Sequence, residues 1–172
     1  MSLPRKRIRL TMENYRGPRA YFITTCTNGR KAYFADANLA ISIIERLRDC
    51  ARAERSAIHA YCVLPDHVHA LAQGEAADSF LPQFVKRFKQ LCAYHTKATH
   101  GLALWQTHFH DHILRREDQM DAVAWYIWMN PVRKGLVENP HDYPFSGSFT
   151  VVWKRSNAPA ELWTPPWRKK RM

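Results

Sequence analysis

Apolar and polar positions along this chain alternate at two periods, and the switches between them predict its elements. Residues 20–27 (AYFITTCT) are aromatic and β-branched, which predicts a first strand, and Asn28-Gly29 marks a turn after it. From Asp36, a good N-cap, apolar residues recur at Ala40, Ile43, Ile44, Leu47, Cys50 and Ala51, the spacing of an amphipathic helix. A second strand is expected over 57–64, a break at Pro65-Asp66, and a third strand over 67–73. Helical spacing returns over 79–96, with Phe80, Phe84, Phe88, Leu91 and Cys92 as the inner stripe. A fourth strand is expected over 107–115, and a last helix over 118–129 that Asn130-Pro131 should stop.

The order β-α-β-β-α-β-α predicts an α+β fold. It is a ferredoxin-like split βαβ antiparallel sheet with helices on one face and an added C-terminal helix bearing Tyr126. The other sheet face is left open for a ligand or a further element. Residues 1–150 read as a single domain that starts with a basic arm, 1–18. Residues 151–172 form a basic tail containing Trp and Pro, expected to be disordered, to lie on nucleic acid, or to fold back over the open face.

His67-Val68-His69 is the sharpest local signal. Side chains on a strand alternate, so the two imidazoles project to one side with α-carbons about 7 Å apart, close enough to share an ion. On the last helix Tyr126 and Asn130 stand four apart, on one face beside the core stripe of Met120, Val123 and Ile127. Tyr126 is therefore expected to be partly exposed, with an amide oxygen below it suited to a hard cation. His108, His110 and His112 share one face of the fourth strand. They are read as imidazoles facing solvent or DNA ahead of a second ion site.

Charge narrows the partner. A net +11 on 172 residues points to a polyanion, nucleic acid ahead of a membrane. Candidate phosphate contacts are Arg5 and Arg7 in the arm, Lys86, Arg87 and Lys89 on the second helix, Arg115 and Arg116 after the fourth strand, and Arg133 and Lys134 after the tyrosine helix. Trp105, Trp125 and Trp128 are candidates for stacking on unpaired bases, with Trp125 read equally as a packing residue. The four cysteines form no CxxC pair and suggest buried, reduced thiols. With no signal-peptide pattern and no apolar run of about 18 residues, a cytoplasmic location is expected, with no membrane partner. The absence of a Gly-rich phosphate loop argues against a nucleotide cofactor.

Four segments in order, LPDHVHALA, FHDHILR, YIWMNPVRKGLV and DYPFSGS, closely resemble the REP-associated tyrosine transposases of the HUH superfamily, over about residues 20–148. The resemblance implies a sequence-specific single-stranded DNA endonuclease and strand transferase acting on hairpins (REP-like palindromes). It makes Tyr126 the catalytic nucleophile, joined to DNA through a 5′-phosphotyrosine. His67, His69 and Asn130 would hold a divalent metal, Mg²⁺ or Mn²⁺. His112 sits where the family has a histidine and, with His110, is an auxiliary candidate. Monomer and homodimer both remain open. The alternative is a catalytically silent protein of the same fold that binds DNA or RNA hairpins.

Overall fold

The computed structural model describes residues 11–101, 103–115 and 118–168. Its strands are β1 (Ala20–Thr27), β2 (Ser56–Leu64), β3 (His67–Gly74), β4 (Trp105–Ile113) and β5 (Ser146–Gly147). Its α-helices are α1 (Ala37–Ala53), α2 (Leu81–His100), α3 (Met120–Trp128) and α4 (Asn130–Arg133). One antiparallel sheet carries the order β4-β1-β3-β2-β5. The first four places are those of the split βαβ arrangement the sequence predicts.

Local chemistry sets the boundaries. The Asp36 carboxylate accepts from the amides of Asn38 (2.8 Å) and Leu39 (3.3 Å) and caps α1 as expected. Gly101 closes α2 with a left-handed φ of 65°, a conformation that suits glycine. Leu64 pairs with His67, so Pro65-Asp66 is a two-residue hairpin turn. Gly74 has no room for a side chain, since a Cβ would lie 2.6 Å from both the Gly17 carbonyl and Ser79 Cβ.

Strand alternation sends side chains to two cores. Tyr21, Ile23, Val63 and Val68 pack under α1 and α2 with Ile43, Leu47, Phe84 and Phe88. Phe22, Ala60, Cys62, Leu64 and Leu71 point the opposite way and pack against Val123, Tyr126 and Ile127 of α3. Each fully buried aliphatic side chain of this kind contributes about 1.5–3 kcal/mol. The second face takes the further element: α3 covers it, and the tail folds back over it, with Trp153 and Trp163 packed into the same cluster.

Two expectations change. Asn130-Pro131 does not end the helical run; the chain breaks at Met129 and restarts as α4 with Pro131 in its first turn, where its missing N–H is harmless. The segment after it adds the short β5, paired to Tyr61 and Cys62 and absent from the predicted elements. All four cysteines are buried and reduced. Among the described residues no helix is long and apolar enough to cross a membrane.

Candidate active site

The hairpin between β2 and β3 delivers the two histidines to the α3 face of the sheet. His67 pairs laterally with Cys26 and Leu64, and His69 with Thr24 and Cys62. Their Nε2 atoms converge to 3.1 Å. Each Nδ1 is anchored separately: His67 to Asp66 Oδ1 at 2.5 Å, His69 to Thr24 Oγ1 at 2.8 Å. Asp66 is held in turn by Arg30 at 3.5 Å, and Arg30 also donates to Cys26 Sγ at 2.9 Å from a left-handed backbone (φ 55°).

Protonation follows from these surroundings. Burial holds the His67 imidazole below its usual value despite the opposing pull of Asp66. Burial drives His69 well below it, and His67 and Arg133 add to the effect. Burial would raise Asp66, but its bond to His67 and the charges of His67 and Arg30 prevail and keep it low. Both rings are therefore neutral near pH 7, the state a metal ligand requires. An Asp66 acceptor keeps the His67 proton on Nδ1 and its Nε2 lone pair outward. The Thr24 hydroxyl donates or accepts, so His69 is able to carry its proton on either nitrogen. Without an ion, one Nε2–H donates to the other ring. With one, both lone pairs point at a common centre, so the pair fits two positions of a divalent ion. Among the described residues no group of three His, Cys, Asp or Glu gathers around one ion, at this pair or along His108, His110 and His112.

Tyr126 faces the same side of the sheet. The Phe22 ring touches His69 (5.1 Å between centroids) and Tyr126 (5.9 Å), linking the histidine pair and the phenol. Tyr126 is buried, not partly exposed as expected, because the tail's Trp163 lies edge-on against it at 5.2 Å. Arg133 lies over its other surroundings, with the guanidinium carbon 4.0 Å from the ring centroid, and donates to the Tyr126 carbonyl. Asn130 is buried one turn on, and its amide nitrogen donates to the carbonyls of Tyr126 (3.1 Å) and Ile127 (3.3 Å). It satisfies carbonyls left open where α3 ends.

The remaining candidates divide. His112 and His110 face Phe22 and Thr24 across β1, on the same sheet face as His67 and His69. His112 Nε2 contacts Asp118 Oδ2 at 3.1 Å, and His110 is exposed. Lys86, Arg87, Arg115, Arg133 and Lys134 are exposed, and Arg87 pairs with Glu54 at 3.1 Å. Lys89 is folded back onto the carbonyls of Gln106 and Thr107 rather than presented outward. Arg5, Arg7 and Arg116 lie outside the described residues. The three tryptophans are packing residues, the second of the two readings given for Trp125: Trp105 lies against Phe34 and Phe88, while Trp125 and Trp128 pack on Trp153. Sequence reasoning missed Thr24, Asp66, Asp118 and Trp163. Asp66 was legible as the neighbour of His67, and Arg133, seven residues after Tyr126, as a residue two turns along the same face.

An antiparallel ferredoxin-like sheet with paired inward histidines and a helix-borne tyrosine defines a class, and the family comparison agrees. A profile for "Transposase IS200 like" matches residues 19–129, and the chain belongs to that family. It is 32% identical over 89 residues to the REP-associated tyrosine transposase of Escherichia coli, 52% of each chain. It is also 32% identical over 98 residues to a Haemophilus influenzae protein provisionally given the same name, 51% of this chain and 56% of the other. The chain thus spans about half the length of these curated relatives. A solved structure of a REP-associated tyrosine transposase bound to a REP hairpin superposes with a TM-score of 0.67 at 24% identity, over 85% of this chain and 82% of that one. At that identity the likeness establishes the fold.

Proposed function

We propose that this chain cuts and rejoins single-stranded DNA at hairpins, with Tyr126 as nucleophile and a divalent ion, Mg²⁺ or Mn²⁺, held by His67, His69 and the Asn130 amide oxygen. The observation that carries the reading is the convergence of two neutral imidazoles at 3.1 Å on the face that bears Tyr126. A bound ion would polarise the scissile phosphate and offset the charge developing on it. The Tyr126 phenol oxygen forms the new bond to phosphorus and gives up its proton to solvent. The P–O3′ bond breaks, and the departing 3′ oxygen takes up a proton. The product is a 5′-phosphotyrosine and a free 3′-hydroxyl, and attack by a 3′-hydroxyl reverses the step.

The chain's own residues prepare this chemistry. Asp66 and Thr24 fix the two rings. Phe22 and Arg133 set the plane of the phenol. The exposed Lys86, Arg115 and Lys134, with the basic arm, are suited to the phosphate backbone and would make affinity fall steeply with salt. REP-like hairpins are the proposed substrate because a relative of the same fold is described bound to one.

The test is covalent capture. With a hairpin oligonucleotide and Mn²⁺, the wild-type chain should give an adduct that survives denaturing electrophoresis, carried on Tyr126. Tyr126→Phe should give none while still binding the hairpin. Cleavage by that variant at the wild-type rate refutes the nucleophile. Coverage of Tyr126 by Trp163 favours a second reading, a hairpin binder without catalysis, which predicts binding and no adduct under any metal.

A further inference from the structure

The tail residue Trp163 occupies a slot whose walls and polar group are not its own. Its ring centroid lies 5.5 Å from Phe22, 5.7 Å from His112 and 5.2 Å from Tyr126. Its Nε1–H donates to Asp118 Oδ1 at 2.8 Å. The other Asp118 oxygen accepts from the Arg115 amide at 2.9 Å and contacts His112 Nε2 at 3.1 Å. That carboxylate is only 10% exposed, so a charge has been placed, nine-tenths buried, at the end of an aromatic slot. Its environment keeps it ionised: burial opposes this, but the Arg115 amide, Trp163 and His112 outweigh it.

An indole is two fused aromatic rings, the size of a purine, and presents an N–H donor on its edge as guanine does on its own. We propose that the slot between Phe22, His112 and Tyr126 is the subsite for an unpaired purine of the DNA strand next to the scissile phosphate, guanine ahead of adenine, for which Trp163 is an internal stand-in. The proposal rests on the reading of Tyr126 as a DNA nucleophile and adds which base lies beside it. Aromatic contact, tilted against Phe22 and His112 and edge-on to Tyr126, supplies affinity, as ring contacts do at other single-strand sites. Asp118 supplies the choice. An ionised carboxylate only accepts hydrogen bonds. Guanine sets N1–H and the N2 amine side by side. Adenine sets its amine beside the N1 lone pair, which the carboxylate repels. The pyrimidines fill one ring's width and flank their donors with lone pairs.

The full chain, labelled with 5-fluorotryptophan and with Trp163 assigned through Trp163→Phe, is titrated with a thymidine octamer. Three further octamers each replace one central thymidine, by guanine, inosine or adenine. The guanine octamer should bind about tenfold more tightly than the all-thymidine one and shift the Trp163 fluorine signal. Inosine, lacking the N2 amine, should fall between them. Asp118→Asn should erase the preference for guanine over adenine while keeping affinity for the thymidine octamer. Because Asp118 also holds the Arg115 amide, Trp163→Ala serves as a second variant that keeps the carboxylate. It should strengthen guanine-octamer binding and leave the thymidine octamer unchanged. Equal binding of all four octamers by wild type and Trp163→Ala overturns the subsite, as does a Trp163 signal unmoved at saturation. A guanine preference without any hairpin adduct would refute the nuclease reading and leave the subsite standing. An adduct without base preference would do the reverse.

Discussion

Asp66 is the residue whose removal should most directly test the metal-binding role proposed for His67 and His69. Its carboxylate sits 2.5 Å from His67 Nδ1 and is steadied by Arg30, so the neutral ring keeps its proton on Nδ1 and its lone pair on Nε2. Asp66→Ala deletes that partner. Loss of such an outer carboxylate weakens metal affinity about 10–100-fold, or about 1.4–2.7 kcal/mol. Asp66→Asn keeps a neutral acceptor at the same place. Charge-assisted bonds are about twice as strong as neutral ones, so it should lose about half of that free energy, about 3–10-fold in affinity. Free Mn²⁺, followed by electron paramagnetic resonance during titration without DNA, gives the dissociation constants directly. Thermal melts monitored by circular dichroism separate weakened binding from misfolding. Thr24→Val, which removes the His69 anchor, should weaken binding comparably, and Thr24→Ser should restore it. If Asp66→Ala binds Mn²⁺ as tightly as the wild type, the pair is not a metal site oriented by this carboxylate.

Other outcomes follow from the same geometry. Asn130→Ala should lower stability by about 1–3 kcal/mol, because the Tyr126 and Ile127 carbonyls lose a buried donor; urea melts check this, and an unchanged midpoint would show the bonds to be unimportant. Gly74→Ala should destabilise by about 1–3 kcal/mol, since its Cβ meets backbone at 2.6 Å that has no side chain to move aside. Stability should also fall on acidification. His67 and His69 titrate below their ordinary value in the folded chain, so below about pH 6.5 the unfolded chain binds more protons and is favoured. Their contribution is fully present above that pH and is lost below it. Urea midpoints between pH 7.5 and 5.5 measure the slope, which should flatten in the His67→Gln/His69→Gln double variant; an undiminished slope would place the effect elsewhere.

Legibility in the sequence tracked how local the cause of each feature was. The Asp36 cap, the amphipathic stripes of α1 and α2, and the alternation of β1 and β3 are set by neighbours within a few residues, and each lies where the pattern put it. The short β5 has no periodicity to detect. It is fixed from far away, by Trp128 Nε1 donating to the Gly147 carbonyl at 3.0 Å and Tyr143 donating to Val63 at 2.8 Å. The tail was beyond periodic reasoning for the same reason. Trp163 and Trp167 are held by rings from β1 and β4, and Trp163 also by α3 and by Asp118, none of them adjacent in sequence.

The same distinction accounts for the site. The strand alternation that brings His67 and His69 together is a two-residue rule, so the pair was visible from the start. The burial of Tyr126 was not, because a helix face beside the core stripe is exposed only if nothing later in the chain covers it. Here a residue 37 positions on does so. Arg133 shows the intermediate case. The break at Met129 and restart at Asn130 could have turned it to any side, yet it lies across the Tyr126 ring and bonds the Tyr126 carbonyl. Although exposed, it holds the turn of the proposed nucleophile through ring and carbonyl. For that reason Lys cannot replace it: an ammonium would keep the charge but lose the planar guanidinium that covers the ring. Arg133→Lys should therefore slow adduct formation while hairpin affinity stays near wild type, whereas a backbone contact would lose affinity and spare the rate.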